Sequence, residues 1–381
     1  MRRQDYLANV LKSLESQRHG GDKADVCKTL GIDPADFIDL STGLSPFRPV
    51  PGAVLEKALD KLGEYSDPCG RSAARAVAAL TGVPEECVSV GNGSTELFYA
   101  VVRVLVKRRC ADSSEIALGT PTFGEIRLAA EVAGLKPAEV AWGASDLAFD
   151  VREARRILQR SGFGIFFDPT PVVGLAVPEE MREALVSSGL VVWDEAYYAL
   201  STGRWLSRWE RQARDGVTII VSSFTKTLSL PGLRAGFLVG SPEIVAAVED
   251  ELPAWRLNPM AIDVLEFLRA EASLEEWASR CAELRRTFAA ILREELGLEI
   301  LPGVAPYLAV RLPETAPDAT VVRAAMAVEG VGVRDCSSFG DSWRRYIRIG
   351  LPNPLQIDEA VRRLKRGIEL AMAYGRHHAM P

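Results

Sequence analysis

The sequence predicts an α/β protein: a large domain built on a mixed, mostly parallel sheet sandwiched by helices, and a smaller α+β domain at the C-terminal end. Three observations predict it. Uniformly apolar runs of strand length, "GIFFD", "LVVWD", "VTIIVSS" and "RAGFLVG", recur through the middle of the chain, as strands covered on both faces of a parallel sheet should. Longer helical patterns alternate with them. At 381 residues the chain also exceeds the usual single-domain size of ~100–200 residues.

Taken in order, residues 1–48 form a segment that contributes to the small domain, 49–258 the large domain, and 259–381 the small C-terminal domain. "CVSVGNGSTELFYAVVRVLV" reads as strand, Gly-rich turn and helix, and "IALGTPTFGEIRLAAEVAG" repeats the scheme with Pro121 in the turn. The four apolar runs follow. From about residue 260 helical stretches dominate, then "YLAVRL", "GVGVRD" and "RYIRIGL" read as strands and "IDEAVRRLKRGIELAMAYG" as a last helix.

Composition narrows the class. Hydrophobic residues make up 48% and charged residues 25%, ordinary for a globular chain. The net charge of −6 and the absence of a long basic run argue against nucleic acid. No stretch reaches the ~18 apolar residues of a membrane span, and charge interrupts "MRRQDYLANVLKSLESQ" too often for a signal peptide, so the chain reads as cytoplasmic. Six cysteines are scattered singly, without metal-site spacing or the density of a disulfide scaffold.

In open α/β sheets ligands gather at the carboxyl ends of the strands, and polar residues fall there. "GNGST" (91–95) lies between strand and helix, where backbone N–H groups and the helix dipole suit a phosphate; a tight turn with an N-cap is the plain alternative. Asp194 directly follows four apolar residues. It is either a cap or a carboxylate that holds a protonated ring nitrogen, with the Tyr197 hydroxyl aimed at the same ligand. Lys226 follows "TIIVSSFT" among hydroxyls, placed either to snorkel or to form an imine. Arg234, eight residues on, suits a phosphate grip together with Ser223.

In this order, the Gly-rich turn, "PTF", "DEAY" and "SFTK" with arginine at plus eight resemble the fold-type I pyridoxal-phosphate enzymes, the aspartate aminotransferase superfamily. The resemblance covers nearly the whole chain. It implies pyridoxal 5'-phosphate as cofactor, Lys226 as the Schiff-base lysine, Asp194 on the pyridine nitrogen, Tyr197 on the phenolic oxygen and Phe123 stacked on the ring. Gly93, Ser94, Thr95, Ser223 and Arg234 would hold the phosphate. It also implies a homodimer in which a tyrosine of the partner reaches the phosphate, the position matched by Tyr65 in "EYSDP".

"RHGGDKADVCKTLGIDPADFIDLSTGLSP" is similar to the opening of the cobalamin-pathway threonine-phosphate decarboxylases, and "VRDCSSFG" followed by "YIRIGL" resembles their C-terminal domain. On that resemblance His19 and Arg334 bind a substrate phosphate, Arg348 binds carboxylate, and Gly43 lies on the substrate side. The leading expectation is therefore a lyase that decarboxylates L-threonine O-3-phosphate to (R)-1-amino-2-propanol phosphate. The close relatives of that group, histidinol-phosphate aminotransferases, supply the alternative, with a divergent paralogue acting on another amino acid beside it. A non-catalytic cofactor-binding module is a third reading. One stretch departs from the superfamily: "DPTPVVG" (168–174) stands where "NPNNPTG" is usual, so Pro171 replaces an asparagine that donates to the cofactor's phenolic oxygen.

Overall fold

The computed structural model describes residues 7–8, 10–12, 20–108, 114–271 and 273–378. They form two compact units. The larger is Phe47–Pro171 with Leu175–Ser279, and the smaller comprises the described parts of Met1–Pro46, Val172–Gly174 and Arg280–Pro381. Among the described residues there are thirteen strands, numbered here in chain order.

The larger unit holds β2 (Val88–Gly91), β3 (Glu115–Thr120), β4 (Lys136–Ala141), β5 (Phe163–Phe167), β6 (Leu190–Asp194), β7 (Thr218–Ser223) and β8 (Gly236–Val239). Their order across the sheet is β2-β8-β7-β6-β5-β3-β4. β8 is antiparallel to both neighbours and the remaining pairs are parallel. The link from β7 to β8 contains only a five-residue helix and a 3-10 turn. That is too little to lay a helix across the sheet, so the chain returns antiparallel.

The alternation of side chains along a strand explains why these runs are apolar throughout. In β7, Ile219 and Val221 join one core while Ile220 joins another; in β6, Val192 faces the first core and Val191 and Trp193 a third. Both faces are covered by helices, so both alternate positions are mostly apolar, and the buried hydroxyls of β7 lie at its ends, Thr218, Ser222 and Ser223. β4, "KPAEVA", escaped the sequence reading because it is an edge strand with mixed exposure, and edges tolerate charge and proline.

The smaller unit carries an antiparallel sheet of β9 (Glu299–Ile300), β10 (Tyr307–Arg311), β12 (Arg334–Asp335) and β13 (Tyr346–Gly350), ordered β12-β13-β10-β9. β1 (Ile38–Asp39) pairs in parallel with β11 (Val331–Gly332), which ties the 38–39 segment to the C-terminal part of the chain. No described helix is long and apolar enough to cross a membrane.

Candidate active site

The larger unit gathers its polar residues at one end of the central strands. Gly236, the first residue of β8, is the register partner of Gly91 on one side and of Ser223 on the other. The 91–95 turn, the end of β7 and Arg234 therefore meet around it. A Cβ on Gly236 would lie 2.4 Å from the Ser94 nitrogen, and one on Gly93 would lie 2.6 Å from Arg234 Nη2. Gly93 holds φ +82° and ψ 167°, a region essentially confined to glycine.

From this turn the 14-residue helix Ser94–Lys107 begins with no side chain capping it, so the first N–H groups and the dipole point at whatever the turn encloses. Arg234 sits in the left-handed region at φ +51°, an uncommon conformation outside glycine. Its guanidinium reaches the Asn92 and Pro231 carbonyls at 3.4 and 3.3 Å. The Ser223 hydroxyl accepts from the Thr225 N–H at 3.2 Å. A glycine-walled turn, an open helix N-terminus and a guanidinium make a cradle of phosphate size and sign.

Beside it, Asp194 ends β6, the middle strand. Its Oδ1 accepts from the Ala196 N–H at 3.0 Å. The residue is partly covered, but the carboxyl lies deep enough that desolvation lifts it to about 7; the Ala196 N–H opposes this, Glu195 adds to it and Lys226 again opposes it. Lys226 lies in the short helix Phe224–Leu228 with its ammonium 5.6 Å from the centre of the Tyr197 ring. Lys226, Asp194 and Tyr197 thus share one neighbourhood. Phe123 precedes the helix Gly124–Val132 and packs partly against the core. Tyr65 is 84% exposed, its ring 5.3 Å from that of Trp255.

The smaller unit brings two cations together. Arg334 and Arg348 are Cα partners across β12 and β13, so their side chains leave the same face of the sheet. Each is only 7% exposed. Arg348 lies 4.5 Å from the Tyr307 ring centre and Arg334 5.1 Å from that of Phe339; Arg334 also donates to the Ser338 hydroxyl at 2.7 Å. Burial first, and the charge of Arg348 second, push Arg334 down to about 10. Cys336 and Asp335, close to Arg334 along the chain, oppose that shift. Gly43 belongs to this unit too: its nitrogen lies 3.5 Å from where a Cβ on Gly350 would stand, and the Gly350 N–H donates to Leu40 at 2.7 Å. His19 lies outside the described residues.

A sequence profile of the aminotransferase class I and II family matches residues 35–364. The chain belongs to that family. Its cofactor is pyridoxal 5'-phosphate, and the cradle and the acid at the end of β6 fit its phosphate and ring nitrogen. Among relatives of this family member, histidinol-phosphate aminotransferase 2 of Ralstonia nicotianae is 27% identical over 351 residues, covering 86% of this chain and 88% of that one. A histidinol-phosphate aminotransferase from Sinorhizobium meliloti, solved in complex with pyridoxal-5'-phosphate, shares the fold with TM-score 0.79, 20% identity and coverage of 93% and 96%. L-threonine-O-3-phosphate decarboxylase from Porphyromonas gingivalis shares it with TM-score 0.71, 20% identity and coverage of 87% and 99%.

One group escaped the sequence reading entirely. Arg182, in the helix Glu179–Val186, is buried against Asp168 and Glu195. "PEEMREALV" looks like a surface helix, and only the adjacency of Glu195 to Asp194 hinted that an acid pair needed a partner.

Proposed function

We propose that this family member is an aminotransferase of the histidinol-phosphate type, passing an amino group between an amine substrate bearing a phosphate and a dicarboxylic 2-oxo acid. The supporting observation is the Arg334–Arg348 pair. An aminotransferase handles its donor and its acceptor in turn at one site, so the anion receiver must accept a phosphate in one half and a carboxylate in the other. Guanidinium groups take either in the same bidentate geometry. The sequence relatives named as histidinol-phosphate aminotransferases favour this reading over the decarboxylase expected from the opening residues.

Pyridoxal 5'-phosphate, when bound, supplies the electron sink for one bond at the substrate Cα. The rest falls to the chain. Asp194 presents a carboxylate that holds a proton at the ring nitrogen, and the positive partner in turn restores that carboxylate's ordinary acidity. The Lys226 amine anchors the cofactor and moves the proton at Cα. Tyr197 donates to the phenolic oxygen without help from position 171, where proline has no side-chain donor. Gly93, Ser94, Thr95, Ser223 and Arg234 would grip the phosphate, and Arg334 and Arg348 would receive an anionic group of the substrate.

Decarboxylation of L-threonine O-3-phosphate remains the second reading, supported by the residues 18–46 described above. Incubation of the cofactor-loaded protein with histidinol phosphate and 2-oxoglutarate should yield glutamate. The same protein with L-threonine O-3-phosphate should release no CO2. CO2 release without glutamate formation would overturn the proposal.

A further inference from the structure

Arg182 is 2% exposed. Its Nη2 stands 3.0 Å from Asp168 Oδ2 and 2.7 Å from Glu195 Oε1, and the guanidinium lies 4.3 Å from the Trp193 ring centre. Its Nε and Nη1 are buried and make no hydrogen bond. Two acids against one base, with two guanidinium nitrogens unsatisfied, is a poor device for stability: desolvation of such a group offsets its Coulombic gain, and apolar replacements are often as stable.

The placement of the group is more telling. Asp168 follows β5 directly; its N–H donates to the Asp194 carbonyl at 3.0 Å and its Oδ1 accepts from the Val177 N–H at 3.0 Å. Glu195 follows Asp194 directly. Its N–H donates to the Val221 carbonyl at 2.8 Å, its Oε2 accepts from the Ser207 N–H at 3.1 Å, and its carbonyl accepts from the Ser222 hydroxyl at 3.1 Å. One guanidinium therefore joins the ends of β5 and β6, and through Ser222 the end of β7 that leads to Lys226.

We propose that Arg182, with Asp168 and Glu195, is a positioning group that fixes the ends of β5, β6 and β7 so that Asp194 and Lys226 meet the cofactor in register. It also accounts for the acid at the first position of "DPTPVVG": the added negative charge is answered by Arg182 from the following helix. The inference rests on the roles given above to Asp194 and Lys226. Its consequence is a separation of stability from binding, because the group contributes geometry at the site rather than net folding energy.

The test is the triple variant Asp168→Asn, Arg182→Met, Glu195→Gln. The two amides keep acceptors for the Val177 and Ser207 N–H groups, and the thioether packs on Trp193. We expect the cofactor-free triple variant to melt within about 4 °C of the wild type or above it, while its Kd for pyridoxal 5'-phosphate rises tenfold or more. Arg182→Met alone, which strands two buried acids, should lose both. A triple variant with a Kd less than tenfold weaker overturns the proposal, and so does one that melts further below the wild type or fails to fold, since the group would then serve the fold itself. A wild type that does not bind the cofactor would instead refute the site assignment beneath it.

Discussion

Replacing Asp194 with asparagine should stabilise the cofactor-free protein while loosening its hold on the cofactor. The carboxyl stands at about 7 against an ordinary 3.8, chiefly because burial strips it of water. An unfolded chain gives up that proton near pH 4, whereas the folded one keeps it to about 7. Across this window the folded state binds more protons, so its stability falls as pH rises, and levels off above 7. At about 1.4 kcal/mol per tenfold change in acidity, the cost has a ceiling of about 4.5 kcal/mol; partial exposure of the side chain reduces it to roughly 2 kcal/mol. Asparagine keeps an oxygen for the Ala196 N–H and carries no charge to desolvate. Urea denaturation of the apo forms should therefore show the variant more stable by about 2 kcal/mol at pH 8, with the difference vanishing near pH 4. Cofactor titration should show binding weaker by roughly 30-fold, the worth of one charge-assisted hydrogen bond of about 2 kcal/mol. An apo variant no more stable than the wild type at pH 8 would refute the reasoning.

Gly93→Ala forces a Cβ against Arg234 at a backbone conformation costing about 1–3 kcal/mol; the cofactor Kd should rise roughly 30-fold, measured by fluorescence titration. Lys226→Ala should abolish borohydride trapping of the cofactor on the chain, read by intact mass, while leaving the apo melting temperature nearly unchanged. Arg334→Met removes one of two adjacent buried cations whose mutual repulsion is already felt. It should raise KM for the phosphorylated substrate far more than it lowers kcat. With the cofactor's phosphate filling the 91–95 turn, inorganic phosphate should raise the melting temperature of the cofactor-loaded wild type and not that of the cofactor-loaded variant.

The strands of the larger unit were legible because burial on both faces leaves its mark on every residue of a run. The ends of those runs were legible for the same reason: "LVVWD" and "TIIVSSFTK" turn polar where β6 and β7 end, at Asp194 and Ser223. The Gly-rich turn was readable because φ +82° at Gly93 admits little else. β4 was not readable, since an edge strand keeps charge and proline.

Local pattern alone thus determined that apolar strands alternate with helices, and which polar residues close those strands. Tertiary structure alone decided what depends on partners far away in sequence. The reversal of β8, the register that sets Arg334 beside Arg348, and the burial of Arg182 between Asp168 and Glu195 are of this kind. Periodicity reports whether a residue is covered, but not by what. Pairing and charge neutralisation are settled only when segments distant along the chain come into contact.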